Sequence, residues 1–162
     1  MEAISLKQTF TSLIVENDRI INKICNIYTS SRADFEDLRQ EIVYQLWKSY
    51  PDFRNDSKVQ TWMYRVALNT ALYFKRKNKT NSLFLDNHYD IEDDLESDAN
   101  KNELYDKLFN AIKKLNNLDR AIIFLYLEQH PYIKIGEIVG ISEKNVGVKI
   151  SRIKDMLRKQ LN

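Results

Sequence analysis

Toward the C-terminal end of this 162-residue chain, Asn145, Val148, Lys149 and Arg152 follow one another at intervals that bring them together on one helical face. Arg and Lys carry the donors that read guanine in a major groove, and Asn carries the donor–acceptor pair that reads adenine. On the same stretch Val146, Ile150, Ile153, Leu157 and Leu161 gather roughly a hundred degrees away, and they are expected to pack inward. A basic face alone is equally well explained by solvation. What precedes it decides the matter. Tyr132 to Val139 reads as a short apolar helix, Gly140 as a left-handed stop, Ile141 as a plug between helices and Ser142 as an N-cap, with Glu143 in the next first turn. This is a helix-turn-helix, from about Tyr132 to Lys159, and sequence-specific duplex DNA is its expected ligand.

Other chemistry is hard to assemble. His88 and His130 are far apart in sequence and neither has a partner at metal-ligand spacing. Asp98, Asn100 and Asn102 imitate the start of a calcium loop, but Glu103 stands where Gly is required and Phe109 where the bidentate Glu should be. The chain has no Gly-rich phosphate loop. Its single cysteine, Cys25, lies on a helical stripe between Ile24 and Ile27 and reads as core. No enzymatic activity, metal or cofactor is expected.

The elements that must position the DNA-reading face are helical throughout. With 43% hydrophobic and 30% charged residues the chain is globular, and 3 Gly with 2 Pro are too few for a many-stranded architecture. One helix is expected from about Ser5 to Thr29, striped by Leu6, Phe10, Leu13, Ile20, Ile24 and Tyr28. A second begins at Asp34 as N-cap, with Phe35, Leu38, Ile42 and Leu46 in a row beside Val43, Trp47 and Tyr50, and ends at Pro51. A third starts at Ser57 in a capping box, turns Val59, Trp62, Val66, Thr70 and Tyr73 inward, and dissolves in the basic run Lys75-Arg76-Lys77. After residue 102 an amphipathic helix carries Leu104, Leu108, Ala111, Ile112 and Leu115. The apolar stretch from Leu118 to Leu127 that follows reads as buried.

Charge divides the chain in three. Residues 1–80 hold 13 Lys/Arg against 9 Asp/Glu, residues 81–103 hold 1 against 8, and residues 104–162 hold 11 against 6. Two basic blocks point to a polyanionic partner. The acidic stretch between them reads as a linker of about 22 residues, able to span roughly 70–80 Å when extended. The fold class is therefore all-α: a three-helix domain over 1–80, an acidic linker over 81–102 and a helix-turn-helix domain over 103–162. No secretory signal and no membrane-length apolar run is visible, so a cytoplasmic protein without membrane insertion is expected.

With both halves in view, the chain resembles bacterial sigma factors of the compact extracytoplasmic-function (ECF) type, in the sigma-70 family. Asp34-Phe35-Glu36-Asp37-Leu38-Arg39-Gln40-Glu41 is similar to the family's polymerase-binding helix. Phe53-Arg54-Asn55-Asp56-Ser57, followed by Thr61 to Asn69, is similar to its promoter-melting segment, and Tyr132 to Arg158 to its upstream-element reader. Asn55 stands where Gly is commoner, Asn117 replaces a usual Pro, and Lys134 lies where Glu is frequent.

The resemblance implies three sites. Asp34, Asp37, Gln40 and Glu41 would meet the clamp of core RNA polymerase. Phe53, Arg54, Asn55, Asp56, Ser57, Lys58, Arg65, Asn69, Lys75, Arg76 and Lys77 would hold and melt the downstream promoter element. Cations there suit the phosphate path, Phe53, Tyr64 and Tyr73 are candidate stacking groups for unpaired bases, and Trp62 reads as core. Ser142, Lys144, Asn145, Val148, Lys149 and Arg152 would read the upstream element as duplex. The implied function is promoter-specific initiation with core polymerase, under control of an anti-sigma protein. The alternatives are an operator-binding regulator working without polymerase, and a protein that sequesters polymerase; two intact basic segments argue against both.

Overall fold

The computed structural model describes residues 2–54, 58–82 and 103–162, with side chains at all of these except 76–82. Eight α-helices lie among the described residues, and no strand: α1 Glu2–Glu16, α2 Asp18–Tyr28, α3 Arg32–Ser49, α4 Val59–Ser82, α5 Glu103–Lys113, α6 Asn117–Leu127, α7 Tyr132–Val139 and α8 Glu143–Leu161. A 3-10 turn, Tyr50–Asp52, follows α3. The expected all-α class is present, and the chain divides into two units, Met1–Asn78 and Lys79–Asn162. The acidic segment, with His88 and the calcium-loop mimic at Asp98, Asn100 and Asn102, lies outside the described residues.

In the first unit, the single helix expected from Ser5 to Thr29 is two helices broken at Asn17. There φ is −115° and ψ 17°, and the Asn17 Nδ2 donates to the Leu13 carbonyl at 2.9 Å. The Asn17 side chain thus shares the Leu13 carbonyl with its own backbone amide, and the chain turns at a residue across which the apolar spacing runs on. The three-helix expectation thus becomes four. Ile21, Ile24, Cys25 and Tyr28 of α2 pack with Leu38, Ile42 and Leu46 of α3 in a core that excludes water. Burial pushes the Cys25 thiol up to about 12, the nearby Arg39 only partly opposing this. Leu6, expected inside, is exposed.

Three local expectations are corrected. Ser31, not Asp34, caps α3: its hydroxyl accepts from the Asp34 amide at 3.0 Å. Helix α4 begins at Val59, the Lys58 carbonyl accepting from the Trp62 amide, and the capping serine expected at Ser57 lies outside the described residues. It also runs through the basic segment to Ser82 instead of dissolving there. Its inner face is Met63, Tyr64, Ala67, Leu68 and Ala71 with Thr70, whereas Val59, Trp62 and Val66 are half-buried and Tyr73 is 68% exposed. Ala67 and Ala71 thus lie on the buried side, where large apolar groups were expected.

The second unit is built on α6, in which residues 119 to 125 are all buried. Asn116 caps it, accepting from the Asp119 amide at 2.9 Å. The buried Arg120 guanidinium donates to the carbonyls of Lys113 and of Leu115 (3.1 Å), satisfying the C-terminal end of α5. The helix ends with Gln129 left-handed (φ 67°) while the His130 amide donates to the Leu125 carbonyl. Leu104 (73% exposed), Leu127 and Leu161 lie outside the core to which the sequence pattern assigned them. Each sits at a helix end, where the periodicity continues past the last neighbour.

Candidate functional site

The helix-turn-helix is formed by α7 and α8 as expected. Gly140 stops α7 with φ 83°, and the Ser142 hydroxyl accepts from the Asn145 amide at 3.2 Å to start α8. The tightness of the corner depends on a second glycine that sequence reading passed over. Gly136 accepts both the Gly140 and Ile141 amides, and a Cβ built on it would lie 2.5 Å from the Ile141 carbonyl oxygen. No side chain fits there. A glycine four residues before the stop was the available signal.

On α8, Val146, Ile150, Ile153 and Leu157 are buried, while Ser142, Lys144, Asn145, Val148 and Arg152 are exposed. One helix therefore presents an apolar side to its own core and a polar side to solvent. Lys149 is the exception. Its Nζ lies 3.4 Å from Asp119 Oδ1 of α6, so its charge is directed at the protein. Lys154 is likewise engaged, with Nζ 2.7 Å from the Tyr126 hydroxyl and 4.4 Å from the centre of that ring. Tyr132, the first residue of α7, lays its ring edge beside Gly147. His130 lies in the α6–α7 connection, where burial lowers its pKa.

In the first unit, Asp37, Gln40 and Glu41 are exposed on one side of α3, opposite the buried Leu38, Ile42 and Leu46. Asp34 opens the same side, half-buried. Glu41 accepts from Gln45 Nε2 at 2.9 Å and otherwise faces solvent. The geometry brings these four residues together.

Of the residues assigned to melting, Arg54, Lys58, Arg65 and Asn69 are exposed, and Lys75 is half-buried. Arg65, Asn69 and Tyr73 share one side of α4, as their spacing requires, and Lys58 immediately precedes the helix. Tyr64, offered as a stacking group, is only 6% exposed and belongs to the core. Phe53 stacks on Trp62 (centroids 4.9 Å apart, planes at 30°). Trp62 continues through Tyr50 and Phe10 to Trp47, so a run of five rings joins α1, α3, the 3-10 turn and α4. Phe53 therefore anchors the start of its loop. Asn55, Asp56 and Ser57 lie outside the described residues, as do the side chains of Arg76 and Lys77. Among the described residues no cluster of His, Cys, Asp and Glu could hold a metal, and no helix is long and apolar enough to cross a membrane.

Residues 13–80 match the family described as Sigma-70 region 2, and residues 105–157 match Sigma-70, region 4. The chain is 29% identical to the ECF RNA polymerase sigma-E factor of Haemophilus influenzae, over 96% of this chain and 88% of that one. It is 29% identical to the ECF RNA polymerase sigma factor SigW of Bacillus subtilis, over 87% and 82%. Among solved structures, the sigma factor RpoE from Bartonella quintana, in complex with the anti-sigma factor NepR, has the same fold. Its TM-score is 0.76 at 19% identity, covering 95% of this chain and 97% of that chain. CnrH, solved with the cytosolic domain of CnrY, aligns with a TM-score of 0.69 at 18% identity, over 96% and 88%.

Proposed function

The chain belongs to the sigma-70 family of RNA polymerase sigma factors, in its ECF group, and from that premise we propose that it binds core RNA polymerase and directs it to one class of promoters. One observation carries this most directly: region 2 and region 4 matches fall in order on one chain, each over its own helical unit. The family is not an enzyme family, and bond-making stays with the polymerase.

In this reading Asp34, Asp37, Gln40 and Glu41 form an acidic and amide surface for a basic partner helix on the polymerase. Arg54, Lys58, Arg65 and Lys75, with Arg76 and Lys77, track phosphates of the downstream element. Asn55, Asp56, Ser57 and Asn69 supply polar groups to unpaired bases. Phe53 serves by holding the loop, its ring being stacked on Trp62. Ser142, Lys144, Asn145, Val148 and Arg152 enter the major groove of the upstream element, and Lys149 holds the helix that carries them. An anti-sigma protein is a fitting regulator, since a structure of the same fold is solved with one. A cytoplasmic location follows from the polymerase partner.

Run-off transcription on genomic fragments, with purified core polymerase and with or without this protein, tests the proposal. Protein-dependent transcripts from a restricted set of fragments are expected. Tight operator binding by the protein alone, with no dependent transcript, would replace this reading with a conventional regulator.

A further inference from the structure

Val148 is not part of the buried core of its unit. It is 51% exposed in the middle of the otherwise polar side of α8. Lys144 and Asn145 lie one turn before it, Ser151 and Arg152 one turn after, all exposed. Together with Gly147, the flanking residues Lys144, Ser151, Arg152 and Asp155 border a shallow open depression that includes Val148, the Asp155 charge being paired with Arg158 at 3.4 Å. Beside it Gly147 adds no side chain, and the Tyr132 ring lies 3.5 Å from where its Cβ would be. No side chain on Gly147 screens Val148, whose two methyl groups stand on a side chain with a stiff χ1.

The major-groove edges of unmodified DNA are almost entirely hydrogen-bonding groups. Thymine is the exception, because its C5-methyl projects into the groove. A branched aliphatic side chain ringed by Lys, Asn, Ser and Arg suits that one group: the polar neighbours satisfy adjoining base edges and phosphates while the methyls meet. We infer that Val148 reads a thymine of the upstream promoter element through its C5-methyl. This deepens the sigma-factor reading and rests on it.

Holoenzyme made from this chain and core polymerase is used to enrich duplexes from a random library. Each thymine of the enriched upstream element is then replaced singly by uracil, which removes the methyl and preserves the hydrogen-bonding edge. One replacement is expected to weaken wild-type holoenzyme binding about fourfold, the equivalent of one lost methyl burial. Val148→Ala holoenzyme is expected to bind the thymine and uracil duplexes equally, and both as weakly as wild type binds uracil. Alanine at an exposed helical position keeps the fold. Silence of every uracil replacement, or unchanged discrimination by Val148→Ala, overturns the methyl contact while leaving the sigma reading intact. Failure to enrich any duplex removes both.

Discussion

Lys149 Nζ on α8 lies 3.4 Å from Asp119 Oδ1 at the third residue of α6, and the Asp119 side chain is only 9% exposed. The same carboxylate accepts from Asn116 Nδ2 at 3.0 Å, so one buried acid closes the α6 cap and ties down the middle of the DNA-reading helix. Removing it costs both functions. Asp119→Ala is expected to destabilise the second unit by about 1–3 kcal/mol, read as a lower denaturant midpoint. A change under half a kcal/mol would show the pair to be incidental.

A lysine held in this way releases few counterions on DNA binding. Lys149→Met is expected to leave the slope of log affinity against log salt concentration unchanged, whereas Lys144→Ala should reduce it by about one. Holoenzyme titrations on one promoter at several salt concentrations distinguish the two lysines.

Arg152→Ala is expected to lower promoter affinity by about 1–3 kcal/mol if the guanidinium spans a guanine edge. The loss must be confined to promoters with the matching base pair; a uniform loss across sequences would assign Arg152 to phosphate.

The three glycines of the second unit should respond in a definite order when changed to alanine. Gly136→Ala meets the Ile141 carbonyl and is expected to cost about 1–3 kcal/mol; Gly140→Ala strains a left-handed residue, at about 1 kcal/mol. Gly147→Ala meets only ordinary contact with Tyr132 and gains helix propensity, so its melting temperature should hold or rise. Thermal melts of the three variants check the order.

Asp37→Lys combined with Glu41→Lys changes only exposed groups on α3. Stability should shift by no more than about 0.5 kcal/mol, while affinity for core polymerase falls about tenfold or more through like-charge contact. Equal polymerase affinity in a competition assay would move the interface elsewhere.

Cys25 supplies a pH dependence. Its folded pKa of about 12 lies above the usual 9.0 of the free thiol, so the native state keeps a proton that the unfolded chain releases. The stability it contributes is whole below pH 9 and is lost as pH rises toward 12, at up to roughly 1.4 kcal/mol per pH unit. A Cys25→Ala variant should lack that part of the alkaline decline in denaturant titrations at pH 8–10.5.

The helix-turn-helix was legible because its grammar is local: Gly140, Ser142 and the segregated faces of α8 each act within a few residues. The break at Asn17 was not, since Leu13, Ile20 and Ile24 keep helical spacing across it and the local mark is a single asparagine that bonds its own preceding turn. The inner face of α4 was misread for a different reason. Hydrophobic patterning weights large residues, yet Ala67 and Ala71 are buried while Tyr73 stands in solvent. Helical spacing groups Lys149 with Asn145, Val148 and Arg152, but its ion pair depends on the place of Asp119 on another helix, which spacing within α8 does not show.

Asp119 and Arg120 are neighbours on the first turn of α6, yet they hold different helices: the acid secures α8, the base secures the last carbonyls of α5. Unwinding of that one turn releases both at once. Amide hydrogens at the end of α5 and the middle of α8, far apart in sequence, should then exchange with solvent through a single shared opening event, making this stretch of the unit one cooperative foldon.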